Sequence, residues 1–151
     1  MSTITPSSNE QHSILTSMFA LELGSINVGD IQSVSGLSID IKEVESKEVG
    51  SDGKLISRFR AGTVEYSELT AKRVFTGDKA LYNWHKAIAA GEKKWEDGSI
   101  VLYSLDGKEA ARWNVNKVWP SKWTVSDLDA GTDDVVTEEV TLQIEYMERS
   151  K

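Results

Sequence analysis

The chain has 151 residues, no cysteine and a formal net charge of −7. This length suffices for one domain with a hydrophobic core, and the lack of cysteine excludes disulfides and thiolate metal sites. The acidic balance argues against a nucleic-acid-binding groove, which needs clustered Lys and Arg. No apolar run approaches the roughly 20 residues that span a bilayer, so we expect no membrane anchor.

The N-terminal part of the chain is polar, and its first residues are rich in Ser, Thr, Asn and Gln. We predict a flexible arm over residues 1–16 and a single domain over residues 17–151. Phe19, Leu21 and Leu23 alternate with Ala and Glu, which predicts a first strand.

A long second strand is predicted over residues 26–44, with Gly36 as a bulge or bend. Residues 45–60 are charged and contain few large apolar side chains. Asp52 and Gly53 at their centre form a strong tight-turn signal. We therefore predict that residues 45–60 form a protruding hairpin loop.

The next strand is predicted over residues 63–75, with Val64, Tyr66 and Leu69 as buried side chains. After this strand, the spacing of the apolar residues changes from every second position to the spacing of a helix. Leu81, Trp84, His85 and Ile88 follow the i, i+3, i+4, i+7 spacing of an amphipathic helix. Asp78 suits the N-terminus of this helix, and Gly91 suits its C-terminus.

The C-terminal third predicts three strands. The first covers residues 100–105, and an Asp-Gly turn leads from it into a strand that begins near Glu109. The last strand runs over residues 136–147, and Glu138 stands among its apolar positions. Because burying a lone carboxylate is costly, we expect Glu138 to be paired, with Lys122 as first choice and Arg112 as second. Trp113 and Leu142 are predicted core residues. We thus predict a mainly β protein, an antiparallel barrel or sandwich of about seven strands with one short helix.

The sequence contains few candidates for catalytic or ligand-binding residues. His12 and His85 are the only histidines, and the position of His85 on an apolar helix stripe favours packing over catalysis. No nucleophile elbow, zinc-protease motif or phosphate loop is present. We therefore predict no enzyme and no catalytic, cofactor-binding or metal-binding residue.

An alternative function is a small β-sandwich module that binds calcium or carbohydrate. Four aspartates lie between Asp127 and Asp134, and Glu138 is the twelfth residue counted from Asp127. A calcium loop needs glycine at its sixth position, however, and Gly131 is the fifth. The five tryptophans could form a sugar-binding platform, although large aromatic side chains more often fill cores or interfaces.

The order of several segments resembles the tail tube proteins of contractile phages and related injection systems, a family related to the haemolysin-coregulated ring proteins. The segments are Phe19 to Gly36, Asp78 to Trp84, and Arg112-Trp-Asn-Val-Asn-Lys-Val-Trp-Pro-Ser-Lys-Trp123, followed by Asp127-Leu-Asp-Ala130 and Glu138-Glu-Val-Thr-Leu142. The resemblance extends over about residues 18–147. Its core and motif positions are Trp113, Trp119, Pro120, Lys122 and Glu138.

The resemblance implies a structural protein whose hexameric rings stack into a hollow tube. Its partners would be further copies of itself, a sheath protein, and baseplate and tube-initiator proteins. Cargo or DNA would pass through the lumen without sequence-specific binding, and we expect an acidic lumen wall. Assembly would take place in the bacterial cytoplasm, and the tube would then belong to a phage tail or to an extracellular or cell-anchored injection particle. We expect the protruding hairpin to contact the neighbouring ring through Glu45, Lys47, Glu48, Ser51, Asp52, Lys54, Arg58 and Arg60.

Overall fold

The computed structural model describes residues 14–151. Most of the predicted N-terminal arm, together with His12, lies outside the described residues. Nine strands and one helix follow in chain order: β1 (Phe19–Leu23), β2 (Ile31–Ser35), β3 (Ile39–Val49), β4 (Leu55–Tyr66), β5 (Leu69–Val74), α1 (Ala80–Ala89), β6 (Glu96–Tyr103), β7 (Glu109–Val125), β8 (Thr137–Gln143) and β9 (Tyr146–Arg149).

Seven of these strands form one antiparallel sheet in the order β1-β6-β7-β8-β5-β2, with β9 paired to β7. The long strand β7 serves two parts of this sheet. Its first half pairs with β6 and β9, and its second half pairs with β8. The change of partner lies between Val118 and Trp119, just after Lys117, whose φ of +49° is rare for a residue with a side chain. The Asp97 carboxylate accepts a hydrogen bond from the Lys117 backbone N–H at 2.9 Å and stabilises this conformation.

The hydrophobic core combines buried side chains from both parts of the sheet and from α1. In β8 the burial alternates along the strand, so that Val140 and Leu142 point inward. The helix contributes Leu81 and Trp84, and the Trp84 indole N–H donates to the Lys94 carbonyl at 2.7 Å. The prediction of a mainly β, antiparallel fold with one short helix is confirmed, and its form is sandwich-like.

The predicted helix is confirmed, with one difference at its start. Lys79 is the N-cap and contributes no side-chain cap, while the neighbouring Asp78 carboxylate accepts a hydrogen bond from the Ala80 N–H at 3.0 Å. Gly91 follows the helix with φ of +89°, as predicted for a C-terminal stop. The helix has 10 residues, and no helix in the described part of the chain is long and apolar enough to cross a membrane.

Two predicted strands are each divided in the structure. The strand predicted over residues 26–44 is interrupted at Gly36, and the one predicted over residues 63–75 is interrupted between β4 and β5. The interruptions lie side by side. Gly36 has φ of +90°, and a Cβ atom there would stand 2.3 Å from the Glu68 carbonyl oxygen. Only glycine allows this close approach, and beyond it the paired strands β3 and β4 leave the main sheet.

Candidate assembly interface

The hairpin of β3 and β4 is separate from the main sheet. The two strands pair only with each other among the described strands, from Ile39 opposite Tyr66 to Val49 opposite Leu55. At the tip, Gly53 has φ of +78°, and the Asp52 carboxylate accepts a hydrogen bond from the Lys54 N–H at 3.1 Å. A two-stranded hairpin without further packing is at best marginally stable in water. Among the described residues, no further strand packs on the hairpin to stabilise it.

The strand register gives the hairpin two different faces, because residues opposite each other in an antiparallel pair point to the same side. One side, which we call the apolar hairpin face, exposes large apolar side chains. Val49 is 69% exposed, Leu55 65% and Phe59 63%. The face consists of Ile39, Ile41, Val49, Leu55, Phe59 and Val64, with Glu43, Glu45 and Lys47 between them.

The opposite side of the hairpin is mainly charged. The Glu48 carboxylate lies 3.3 Å from Nε of Arg58 and 3.6 Å from Nη2 of Arg60. Lys42 lies 2.8 Å from Glu65, and this hydrogen-bonded pair raises the pKa of Lys42. Exposed ion pairs of this kind add little stability, so they leave the charged groups available for contacts with other molecules.

The eight predicted contact residues are all exposed in the projecting hairpin, but they do not form one patch. Glu45 and Lys47 lie on the apolar face, whereas Glu48, Arg58 and Arg60 lie on the charged face. The remaining three, Ser51, Asp52 and Lys54, form the tip.

The apolar hairpin face is the feature that the sequence interpretation missed. Val64 was predicted to be buried, and that prediction is wrong, because the side chain is 45% exposed. The signal was present in the alternation of Ile39 and Ile41 with charged residues, which indicates an apolar side without showing what covers it.

Glu138 is buried and paired, as predicted, but not with Lys122. Its side chain is 1% exposed, and its Oε1 atom lies 2.6 Å from Nε of Arg73, the residue opposite it on β5. Its Oε2 atom accepts a hydrogen bond from the Trp123 indole N–H at 2.7 Å. Lys122 is exposed, because it is next to Trp123 in β7 and neighbouring positions of a strand point to opposite sides. Arg112, the second choice, pairs instead with Glu109 and Glu22.

Arg73 connects this pair to two other parts of the fold. Its Nη1 atom donates to the Val28 carbonyl at 2.9 Å and lies 3.6 Å from the Asp78 carboxylate. The side chain thus joins β8 to the segment before β2 and to the segment before α1. Within residues 14–151, its Nη2 atom is buried without a hydrogen-bond partner.

The other motif residues lie along β7. Pro120 is fully buried opposite Leu142, next to a shift in the strand register, where a missing N–H is tolerated. Trp119 is half-buried. Trp113 is also only half-buried, packed against the core rather than within it, so the prediction that it is a core residue is correct only in part.

The sites of the alternative function are not assembled. The aspartates lie in an exposed loop between β7 and β8. In this loop the Asp129 carboxylate accepts a hydrogen bond from the Gly131 N–H at 2.8 Å. Within residues 14–151, no three acidic, histidine or cysteine side chains are grouped as metal ligands. Trp84 is buried in the helix, and Trp123 packs edge-to-face on Tyr82 with 5.2 Å between ring centroids, so these two side chains do not belong to an exposed sugar-binding platform.

Comparison with known proteins gives a family match over most of the chain. The model of the family described as "T4-like virus tail tube protein gp19" matches residues 15–148. None of the curated proteins matches this sequence.

Solved structures share the fold. A chain in the cryo-EM structure of the anti-feeding prophage cap, the tube-terminating cap, is 25% identical with a TM-score of 0.80, covering 93% of both chains. A chain in the sheath–tube complex of the extracellular contractile injection system PVC is 24% identical with a TM-score of 0.80, covering 99% of both. Hcp1 from Salmonella typhimurium is 15% identical with a TM-score of 0.51, covering 87% of this chain and 85% of that one. The chain therefore belongs to the family of T4-like virus tail tube proteins, and it is a structural tube protein rather than an enzyme.

Proposed function

We propose that this tail tube protein assembles into hexameric rings that stack into a hollow tube, and that the projecting hairpin contacts the neighbouring ring. The observation that carries this proposal is the apolar hairpin face, whose large side chains are exposed in the single chain. Apolar surface of this kind on a detached hairpin gains free energy when another molecule covers it.

Free strand edges support contacts within a ring. Among the strands of residues 14–151, the main sheet ends at β1 on one side and at β2 on the other. Exposed edges present unpaired backbone groups that favour pairing with a second chain. Contacts between different surfaces of identical copies close into rings or continue as filaments, and a stacked tube uses both arrangements.

Similar chains in larger complexes support a proposal for the wider assembly. The similar chains come from structures of a tube-terminating cap, a sheath–tube complex and a baseplate. For this chain we propose a surrounding sheath protein whose contraction drives the tube into a target, and baseplate and tube-initiator proteins at its end. Assembly would take place in the bacterial cytoplasm before the tube becomes part of a phage tail or injection particle.

The lumen would carry cargo or DNA without sequence-specific binding. Six copies, each with a formal charge of −7, bring a large negative charge into every ring. Part of this charge would face inward and repel anionic cargo, which would keep the cargo from adhering to the wall. A reconstructed tube with a basic lumen would contradict this proposal.

Negative-stain electron microscopy of the purified protein tests the assembly directly, since rings or tubes of uniform width are expected. Two hairpin variants test the role of the hairpin. Deletion of Val49 to Leu55 removes its tip, and Phe59→Ser removes one large side chain from its apolar face. Both should leave a folded protomer that does not stack.

Leu105→Ser is the matched control, because Leu105 is a similarly exposed apolar side chain, at 75%, outside the hairpin. Circular dichroism should show the same strand content in all variants. Normal tubes from the deletion variant would refute the role of the hairpin, and a wild-type protein that stays monomeric at high concentration would refute tube assembly.

A further inference from the structure

A pocket of about 390 Å³ lies between α1, the end of β7 and the segment that joins β5 to α1. Its apolar part, which we call the aromatic wall, consists of Phe75, Tyr82 and Trp123. The rings of Tyr82 and Trp123 pack edge-to-face, with 5.2 Å between their centroids. Phe75 and Tyr82 remain 41% and 43% exposed. This exposed aromatic surface gains free energy when another molecule covers it.

The charged groups of the pocket leave a local excess of positive charge. The Asp78 carboxylate lies 3.6 Å from Nη1 of Arg73, and the Glu138 carboxylate lies 2.6 Å from Nε of the same residue. Both carboxylates of the lining are therefore already paired. Lys79 and Lys86 also line the pocket and are exposed. Neither is paired within residues 14–151, where the lysines that form ion pairs are Lys42, Lys94 and Lys117.

The spacing of these two lysines limits what the pocket can bind. Lys79 is the N-cap of α1, and Lys86 follows about two turns later, roughly 10 Å along the axis at about 1.5 Å per residue. Tyr82 lies between them. In an extended segment, every second side chain points to the same side, and positions two before and two after a given residue are about 14 Å apart. The reach of the lysine side chains closes the difference between these two lengths.

We infer that this pocket docks a different protein through an extended acidic segment. In that segment one aromatic residue has an acidic residue two positions before it and another two positions after it. Its aromatic side chain packs on the aromatic wall, and its two carboxylates face Lys79 and Lys86. A central aromatic anchor with complementary charges at the rim is a common arrangement in protein interfaces.

The occupant is neither a free small molecule nor another copy of this chain. Sites for small molecules enclose most of the ligand surface, whereas the aromatic wall is open to solvent. In the sequence of this chain, no aromatic residue has acidic residues two positions away on both sides. The exposed Leu128 has Asp127 and Asp129 as direct neighbours, and in an extended segment these point away from the side that Leu128 faces.

Blocked peptides test the docking in NMR titrations of dilute, unassembled, isotope-labelled protein. The probe is acetyl-Asp-Ser-Phe-Ser-Asp-amide. Acetyl-Lys-Ser-Phe-Ser-Lys-amide is the control for charge, and acetyl-Asp-Ser-Ala-Ser-Asp-amide is the control for the aromatic anchor. We expect saturable shifts of the backbone amide signals of Lys79, Tyr82 and Lys86, with a Kd at least about tenfold lower for the probe than for either control. Equal binding of the three peptides would overturn the inference.

Surface variants assign the binding to the pocket. Tyr82→Ala and Lys86→Glu should each raise the Kd of the probe at least about tenfold, with unchanged circular dichroism because both side chains are exposed. Lys93→Glu is the matched control, since Lys93 is an exposed lysine outside the pocket, and it should keep the affinity of the natural chain. A folded Lys86→Glu variant that binds the probe as tightly as Lys93→Glu would contradict the assignment.

The role in assembly is tested separately by electron microscopy of the same variants. Both pocket variants should still form tubes, because the pocket serves a partner other than a tube subunit. Loss of tubes by a folded variant would assign the pocket to a contact between copies and overturn the inference. Tight binding of acetyl-Ser-Asp-Leu-Asp-Ala-amide, which has the sequence of residues 126–130, would do the same. A natural chain that binds the probe and forms no tubes would support the inference and contradict the proposed function.

Discussion

Removing the charge of Glu138 should destabilise the protomer strongly, although Glu138→Gln changes hardly any volume. Glu138 is 1% exposed and Arg73 4% exposed. The carboxylate accepts hydrogen bonds from the Arg73 Nε–H at 2.6 Å and from the Trp123 indole N–H at 2.7 Å. A glutamine amide has only one acceptor oxygen, so one of these two donors would face an NH₂ group.

The magnitude follows from the buried guanidinium that remains. Leaving one charge of a buried ion pair without its partner costs about 3–5 kcal/mol, and a single hydrogen bond to a charged group contributes about 1.5–3 kcal/mol. Asp78 lies 3.6 Å from Arg73 Nη1 and would offset part of the charge. We therefore expect Glu138→Gln to lower the free energy of unfolding by about 3 kcal/mol.

Urea unfolding followed by tryptophan fluorescence on dilute, unassembled protein at pH 7 measures this loss. Glu139→Gln is the matched control, because Glu139 occupies the opposite side of β8, and its effect should stay within about 0.5 kcal/mol. In the double variant Arg73→Met with Glu138→Gln, the two losses should fall short of additivity by at least about 1.5 kcal/mol. A loss below about 1 kcal/mol for Glu138→Gln would refute the reasoning.

Three further predictions concern the core, the pH dependence and the assembly. Leu142→Ala should cost about 2–5 kcal/mol of unfolding free energy in the same assay, because Leu142 is fully buried, and a loss below about 1 kcal/mol would contradict its place in the core. The hydrogen bond from Arg112 lowers the pKa of Glu109 below its ordinary value of 4.5. Its stabilising effect should therefore be present above pH 4.5 and be lost as the pH falls through the lowered pKa; Arg112→Gln should move the Glu109 midpoint upward in an NMR titration, and an unchanged midpoint would contradict the contact. Tube growth should accelerate from very low ionic strength to about 0.15 M, where charge repulsion is screened beyond about 8 Å, and slower growth would indicate that ion pairs between subunits dominate.

Local sequence patterns were sufficient for the element types and for the hairpin. The alternation along β8 predicted which side chains point inward, because a strand exposes successive residues to opposite sides. The Asp52-Gly53 turn was predicted from two residues alone, since few residues adopt a positive φ without strain. The helix was found from its spacing, and the order of the motifs was sufficient for the family.

The partner of Glu138 could not be predicted from the sequence. The carboxylate on an apolar position required a cationic partner, and Lys122 was predicted because it is near in sequence. Arg73 lies 65 positions away and meets Glu138 only because β5 and β8 are neighbours in the sheet. Strand order depends on the packing of the whole chain, which no local pattern contains.

The sequence by itself determined the mainly β composition, the inward and outward parity of the strands, the projecting turn and the family. Only the tertiary structure decided where the paired strands leave the sheet, which is beside Gly36, and hence that Ile39, Ile41 and Val64 face solvent rather than a core. The reason is physical. A period of two shows that one side of a strand is apolar, but what covers that side depends on the elements folded against it, and for the hairpin no described part of the same chain does so.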